Sequence, residues 1–162
     1  MTTQKWILLA EDNGHDADLA VRALAAGDSC AEVVVTDDGF RALDCLRRRG
    51  EYLGHVRSDP ALVLLDLKMS SMDGFQVLEQ IKSDARLKQI PVVIFSSSRE
   101  ECDIIRCYQL GANAYVVKPM DFRRYVAALK DVMRFWIVTN EPTPVARNQE
   151  TSAAGSRQYR WA

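Results

Sequence analysis

Acidic, hydroxyl and amine side chains stand at the ends of short apolar runs in this sequence. In chain order they are Glu11, Asp12, Asp66, Ser96 and Lys118. If these runs are parallel strands, their carboxyl ends lie along one edge of a sheet, which is where such sheets bind ligands. The pattern therefore predicts that three carboxylates, one hydroxyl and one amine converge at that edge.

Three carboxylates gathered within about 5 Å would repel each other by a few kcal/mol per pair at an effective dielectric of about 20. A divalent cation together with the ammonium of Lys118 would offset the three negative charges. Mg²⁺ is the natural candidate, because it accepts carboxylates and waters and leaves positions free for a phosphoryl oxygen. Such a site could transfer a phosphoryl group to Asp66, with Ser96 and Lys118 bound to the phosphoryl oxygens.

Five apolar runs alternate with helical patterns along the chain, which is typical of a parallel α/β sheet. The runs cover residues 6–10, 33–35, 61–65, 92–95 and 115–117. The helical patterns lie near residues 14–26, 39–49, 74–84, 99–110 and 121–138. Ser98 and Glu101 predict a capping box for the fourth helix, and Gly111 predicts a left-handed residue at its end. We expect a doubly wound, five-stranded parallel sheet with helices on both faces.

The composition fits a single globular domain. The 162 residues are 48% hydrophobic and 27% charged, with a net charge of −1, which argues against nucleic acid or an anionic membrane as a partner. No apolar run approaches the roughly 20 residues of a membrane span, and the amino terminus has no signal-peptide pattern, so we expect a cytoplasmic protein. We place the domain at residues 1–138 and expect residues 139–162 to form a tail that is disordered or serves as a dimer arm.

Six motifs occur in an order that resembles the receiver domain of two-component response regulators. They are ILLAED at 7–12, DDG at 37–39, LLDLKM at 64–69, MDG at 72–74, PVVIFS at 91–96 and GANAYVVKP at 111–119. The resemblance covers roughly residues 5–138. It implies the flavodoxin-like strand order 2-1-3-4-5 and a protein that accepts a phosphoryl group from a sensor histidine kinase.

The resemblance also assigns roles to individual residues. It implies that Asp66 is the phosphoacceptor and that Mg²⁺ is held by Glu11, Asp12, Asp66 and the backbone carbonyl of Lys68. Ser96 and Lys118 would stabilise the phosphoryl group.

A conformational switch is implied as well. Ser96 would move toward the phosphoryl group and Tyr115 would follow it inward, which would alter the face formed by the fourth helix, fifth strand and fifth helix. The bond between Lys118 and Pro119 would be cis.

A finer resemblance concerns the kind of response regulator. Fewer than 30 residues follow the fifth helical pattern, and no DNA-binding motif fits there, so we expect a stand-alone receiver. The long connection at residues 50–60, together with Phe135 and Trp136, resembles the small regulators that partner phytochrome-type histidine kinases. This resemblance implies a red-light-sensing kinase as the phosphodonor.

The fifth helical pattern carries two apolar stripes. One consists of Phe122, Val126, Leu129, Met133, Trp136 and Ile137, and the other of Tyr125, Ala128, Val132 and Phe135. Because one sheet face need not cover both stripes, we expect a homodimer. Its predicted surface comprises Ile104, Tyr108, Tyr125, Val132 and Phe135. The alternative is a wide buried face in a monomer.

Two enzyme and cofactor classes fit the sequence less well. A haloacid-dehalogenase phosphatase needs a second Asp two residues after the first, where this chain has Lys68. A flavodoxin needs a Ser/Thr/Gly-rich phosphate loop where Glu11, Asp12 and Asn13 stand. We therefore expect a phosphoacceptor protein rather than an enzyme. A receiver-like interaction module that works without phosphorylation remains the alternative.

Overall fold

The computed structural model describes residues 5–26, 31–54 and 58–144, so most of the predicted tail, residues 145–162, lies outside it. The strands and α-helices in these ranges are β1 (Trp6–Ala10), α1 (Gly14–Ala25), β2 (Glu32–Thr36), α2 (Gly39–Arg47), β3 (Leu62–Leu65), α3 (Gly74–Ser83), β4 (Val92–Ser96), α4 (Glu101–Gln109), β5 (Ala114–Val117) and α5 (Phe122–Met133). Two short 3-10 helices, Gly50–Tyr52 and Leu87–Gln89, lie in the connections. A π-helical segment, Arg134–Thr139, continues α5. Among the described residues, no helix is both long enough and apolar enough to cross a membrane.

The five strands form one parallel sheet in the order β2-β1-β3-β4-β5, which confirms the predicted topology. Ala10 at the end of β1 pairs with Leu65 at the end of β3. Leu65 in turn pairs with Ile94 of β4. This register places Glu11 and Asp66, the residues that directly follow β1 and β3, side by side at one edge of the sheet.

The core lies on both faces of the sheet, because side chains alternate along each strand. Leu8 faces the layer that contains α2 and α3, whereas Ile7 and Leu9 face the layer that contains α1 and α5. The central strands β3 and β4 are buried along their whole length. Helices therefore cover both faces, as expected from the continuous apolar runs.

Glycine allows α3 to start directly against the loop that follows β3. The backbone N–H of Gly74 donates a hydrogen bond to the carbonyl oxygen of Leu67 at 2.9 Å. A Cβ atom on Gly74 would lie 2.1 Å from the carbonyl oxygen of Asp66. The side chain of Asp73 caps α3 and forms a capping box with Gln76. The start of α3 thus packs directly against the backbone of Asp66 and Leu67.

Two local predictions at and near α4 have different outcomes. Gly111 is left-handed, with φ of +97°, as predicted. The predicted capping box is wrong, because α4 begins after Glu100 without a side-chain cap. Ser98 instead accepts a hydrogen bond from the N–H of Glu100 and donates one to Asp103. A third prediction, the cis bond between Lys118 and Pro119, is also wrong, since the described residues contain no cis peptide bond.

Part of the predicted dimer surface is wrong because the buried face of α5 includes residues from both apolar stripes. Tyr125 and Val132 are only 5% and 9% exposed and belong to the core. The ring of Tyr125 packs edge-on against Phe95, with 5.2 Å between the ring centroids. Tyr108 and Phe135 are exposed, and Ile104 is partly buried. Of the five predicted surface residues, only Tyr108, Phe135 and Ile104 can therefore contribute to an intermolecular surface.

Candidate functional site

The side chain of Lys118 lies at the centre of the acidic edge. Its ammonium nitrogen is 2.6 Å from Glu11 Oε2, 2.8 Å from Asp66 Oδ2 and 3.1 Å from Asp16 Oδ2. Lys118 comes from the loop after β5, Glu11 from the loop after β1 and Asp66 from the loop after β3. The parallel sheet therefore brings together an amine and carboxylates that are far apart in sequence.

Backbone N–H groups bind one oxygen of each predicted carboxylate. Asn13 N–H donates to Glu11 Oε1 at 3.0 Å, and Leu67 N–H donates to Asp66 Oδ1 at 2.7 Å. Ser70 N–H donates to Asp12 Oδ2 at 2.9 Å, so the third predicted carboxylate binds the loop after β3. These bonds fix the direction in which each carboxylate points, because a backbone donor cannot swing away as a side chain can.

Burial governs the electrostatics of this cluster. Glu11 is 4% exposed and Asp66 is 7% exposed. Burial raises the pKa of Glu11 to about 7, although the hydrogen bond and charge of Lys118 act in the opposite direction. Burial alone would lower the pKa of Lys118, but hydrogen bonds to Asp66 and Glu11 outweigh it and the pKa is raised. Lys118 is therefore a charged ammonium that partly neutralises the buried carboxylates.

Ser96 and Tyr115 lie on neighbouring strands and are connected through Ser98. Ser96 is fully buried at the end of β4, and its hydroxyl oxygen accepts a hydrogen bond from Ser98 N–H at 3.3 Å. The hydroxyl of Tyr115 donates to the carbonyl oxygen of Ser98 at 3.0 Å. The structure thus places both predicted switch residues against one loop, which follows β4.

An open cleft of about 530 Å³ adjoins the acidic cluster. Its lining includes Asp12, Lys68, Ser70, Asp73 and Asp103. Lys68 is exposed, whereas Asp12 is partly buried. The cleft therefore lies beside Asp12 and the loop that directly follows Asp66.

Comparison with known proteins decides the family. A family model of the response regulator receiver domain matches residues 7–130. The chain belongs to this family. Response regulator Rcp1 from Synechocystis sp. is 36% identical over 135 residues, which cover 83% of this receiver domain protein and 90% of Rcp1.

Two solved structures resemble the receiver domain over nearly the whole of their own length. The phosphorylated cyanobacterial phytochrome response regulator RcpA has a TM-score of 0.81 and 41% identity, covering 86% of this chain and 99% of RcpA. The Mn²⁺-bound form of response regulator Rcp1 has a TM-score of 0.79 and 34% identity, and the match covers 86% of this chain and 99% of Rcp1. The predicted resemblance to phytochrome response regulators is therefore confirmed.

The donor set of this receiver fits a hard divalent cation in its chemistry. Glu11, Asp12 and Asp66 supply carboxylate oxygens at one sheet edge, which is the ligand type that Mg²⁺ and Mn²⁺ accept. In the described ranges, however, no group of three or more His, Cys, Asp or Glu side chains is arranged to hold a metal ion. Lys118 forms ion pairs with both Glu11 and Asp66, and Asp12 accepts a hydrogen bond from Ser70 N–H.

The sequence analysis missed Asp16 as a member of the cluster. Asp16 stands in the first turn of α1, where acidic residues commonly stabilise a helix start, and this ordinary role hid the contact with Lys118. The available signal was its position three residues after Asn13, the N-cap of α1. That spacing places an Asp16 side chain over the same end of the helix as Glu11 and Asp12.

Proposed function

We propose that this receiver domain accepts a phosphoryl group on Asp66 from a sensor histidine kinase and thereby acts as a single-domain response regulator. The observation that carries the proposal is the buried carboxylate of Asp66, which is held by Leu67 N–H on one oxygen and by Lys118 on the other. A buried carboxylate with fixed orientation beside an open cleft is suited to nucleophilic attack on phosphorus.

The residues of the chain have distinct parts in this transfer. An oxygen of Asp66 forms the new bond to phosphorus, and the bond from phosphorus to the donor histidine nitrogen breaks. The ammonium of Lys118 and the hydroxyl of Ser96 donate hydrogen bonds to the phosphoryl oxygens as negative charge spreads over them. The product is an acyl phosphate, in which Asp66 no longer carries its carboxylate charge.

We also propose that the site uses Mg²⁺, held by Glu11, Asp12, Asp66 and the backbone carbonyl of Lys68. Bound there, the cation would neutralise negative charge on the phosphoryl oxygens. The carboxylate donor set of this chain supports the assignment, and so does the Mn²⁺-bound form of Rcp1.

The output surface would be the face of α4, β5 and α5. Ser96 and Tyr115 both contact the loop that leads into α4, so a shift of the Ser96 hydroxyl would be transmitted to that helix. Exposed Tyr108 and Phe135, with the partly buried Ile104, favour a homodimer through this face. Light scattering at micromolar concentration should give twice the 18.3 kDa chain mass; an 18.3 kDa species alone would exclude the homodimer.

The proposed phosphodonor is a phytochrome-type histidine kinase. Similarity to a cyanobacterial phytochrome response regulator supports this choice. We propose a cytoplasmic signalling protein without enzymatic turnover of a substrate and without nucleic-acid or membrane binding, in keeping with its net charge of −1.

Phosphotransfer from an autophosphorylated phytochrome-type kinase tests this function. Radiolabel should move from the kinase to the receiver domain in the presence of Mg²⁺ and should not move to Asp66→Asn. Transfer to both proteins, or to neither, would contradict the proposal. If, in the second case, acetyl phosphate with Mg²⁺ also fails to phosphorylate the protein, the chain would be a receiver-like interaction module that works without phosphorylation.

A further inference from the structure

The ammonium of Lys118 uses all of its hydrogen-bonding capacity on carboxylates. A lysine ammonium has three N–H donors, and Lys118 is within hydrogen-bond distance of Glu11, Asp66 and Asp16. The side chain of Lys118 is 8% exposed, and its ammonium lies 5.8 Å from the centre of the Phe95 ring. A charge this buried needs partners, because water cannot replace them.

Two of these three partners change during the proposed reaction, and the argument from here rests on the proposed function. Asp66 loses its negative charge when it becomes an acyl phosphate. Glu11 is a proposed metal ligand and must then share its oxygens with a cation. Asp16 has neither role, so it is the carboxylate whose contact with Lys118 can persist throughout phosphoryl transfer.

The start of α1 holds Asp16 in this position. The side-chain oxygen of Asn13 accepts hydrogen bonds from His15 N–H and Asp16 N–H. An acidic residue three positions after an N-cap often reaches back to the N-cap N–H. Here that donor, Asn13 N–H, is bound by Glu11 Oε1. The Asp16 carboxylate is therefore directed to Lys118 rather than to its own helix.

We propose that Asp16 is a positioning residue that keeps the Lys118 ammonium in place while Asp66 and Glu11 engage the phosphoryl group and the cation. The second observation behind this proposal is the side-chain burial of the two residues. Asp16 is about one third exposed at the rim, whereas Lys118 is buried. The carboxylate of Asp16, in α1, thus fixes the direction of the Lys118 ammonium, which enters the site from the end of β5.

Asp16→Asn tests the proposal, with Asp18→Asn as the matched control. Asp18 is exposed and lies on the same helix as Asp16. Because two residues correspond to a rotation of about 200° around a helix, Asp18→Asn removes the same charge from a face of α1 that points away from Lys118. With acetyl phosphate and saturating Mg²⁺, Asp16→Asn should be phosphorylated about tenfold more slowly than the unmodified protein, which corresponds to an activation barrier higher by about 1.4 kcal/mol. Asp18→Asn should stay within about twofold. Equal rates for the two variants would overturn the proposal.

A double-mutant cycle separates positioning from a general effect on folding or charge. In a Lys118→Met background, Asp16→Asn should add less than about a twofold loss, since the ammonium that it positions is gone. A tenfold loss in that background as well would overturn the proposal. Thermal unfolding of every variant checks that the fold is retained.

A spectroscopic measurement without metal or phosphodonor addresses the contact itself. The ¹⁵N-ammonium signal of Lys118 should be resolved in the unmodified protein and in Asp18→Asn, and should shift and broaden in Asp16→Asn. An unchanged signal in Asp16→Asn would overturn the positioning role. If the unmodified protein takes no phosphoryl group on Asp66, the proposed function fails and this inference with it. Normal phosphorylation of both the unmodified protein and Asp16→Asn removes this inference alone.

Discussion

The hydroxyl of Tyr115 donates a hydrogen bond to the backbone carbonyl of Ser98 at 3.0 Å. This bond joins β5 to the loop between β4 and α4. The same residue, Ser98, donates its N–H to the hydroxyl of Ser96 and its own hydroxyl to Asp103 in α4. Ser98 therefore connects the hydroxyl expected to meet the phosphoryl group with the aromatic side chain and the helix of the proposed output face.

Replacing Tyr115 by Phe should reduce stability, because the Ser98 carbonyl loses its side-chain donor. We expect the free energy of unfolding to fall by about 1 kcal/mol, measured by urea denaturation. Tyr108→Phe is the matched control, since Tyr108 is half-exposed on α4 and its change should be close to neutral. Equal stability of the two variants would show that the bond to Ser98 contributes nothing.

Gly74→Ala should distort the backbone of the phosphoacceptor. The added Cβ would lie 2.1 Å from the Asp66 carbonyl oxygen and 2.7 Å from Leu67 Cα, so backbone atoms must move. We expect a loss of at least about 2 kcal/mol in the free energy of unfolding, together with slower phosphorylation. Gly14→Ala is the control, because nothing lies within 4 Å of its added Cβ. A stable, normally phosphorylated Gly74→Ala would contradict the observed packing.

The three cysteines within the described ranges should differ sharply in reactivity. Cys102 is exposed, while Cys45 and Cys107 are buried, and burial raises the pKa of each buried thiol to about 11. Because only the thiolate reacts, iodoacetamide at about pH 8 should modify Cys102 in the folded protein and leave the two buried cysteines intact. Peptide mass mapping measures this. Fast modification of Cys45 before unfolding would be inconsistent with its position in the core.

Lys68 should extend the lifetime of the phosphorylated state. Its exposed side chain lines the cleft beside Asp12, where an ammonium can restrict the approach of water to the acyl phosphate. Lys68→Ala should lose its phosphoryl group several-fold faster than the unmodified protein. The exposed Lys130→Ala on α5 provides the control. A dephosphorylation rate within about twofold of the control would rule out this role.

Buried strands were the most predictable part of the fold. The run at residues 6–10 predicted β1 with the observed bounds, and the other four runs differ from their strands by only one residue at either end. For β1, β3 and β4 the reason is that strands covered on both faces leave little ambiguity in an apolar pattern. The acidic edge followed from the strand order, since parallel strands deliver their carboxyl ends together. Glu11, Asp66 and Lys118 meet there as expected.

The rotation of α5 was less predictable than its existence. Two apolar stripes had nearly equal character, and only packing against Phe95 shows that Tyr125 faces the sheet. Ser98 and Asp16 were hidden for a similar reason. Each has an ordinary role at a helix start, and the contacts that distinguish them come from residues distant in sequence, Tyr115 and Lys118. Sequence periodicity contains no information on such contacts.

Intact-mass spectrometry after incubation with acetyl phosphate tests the central claim most directly. The unmodified protein should gain the mass of one phosphoryl group in the presence of Mg²⁺ and should not gain it when the cation is chelated. Asp66→Asn should gain none under either condition. Phosphorylation of Asp66→Asn to the same extent, or phosphorylation of the unmodified protein that does not depend on a divalent cation, would contradict the account.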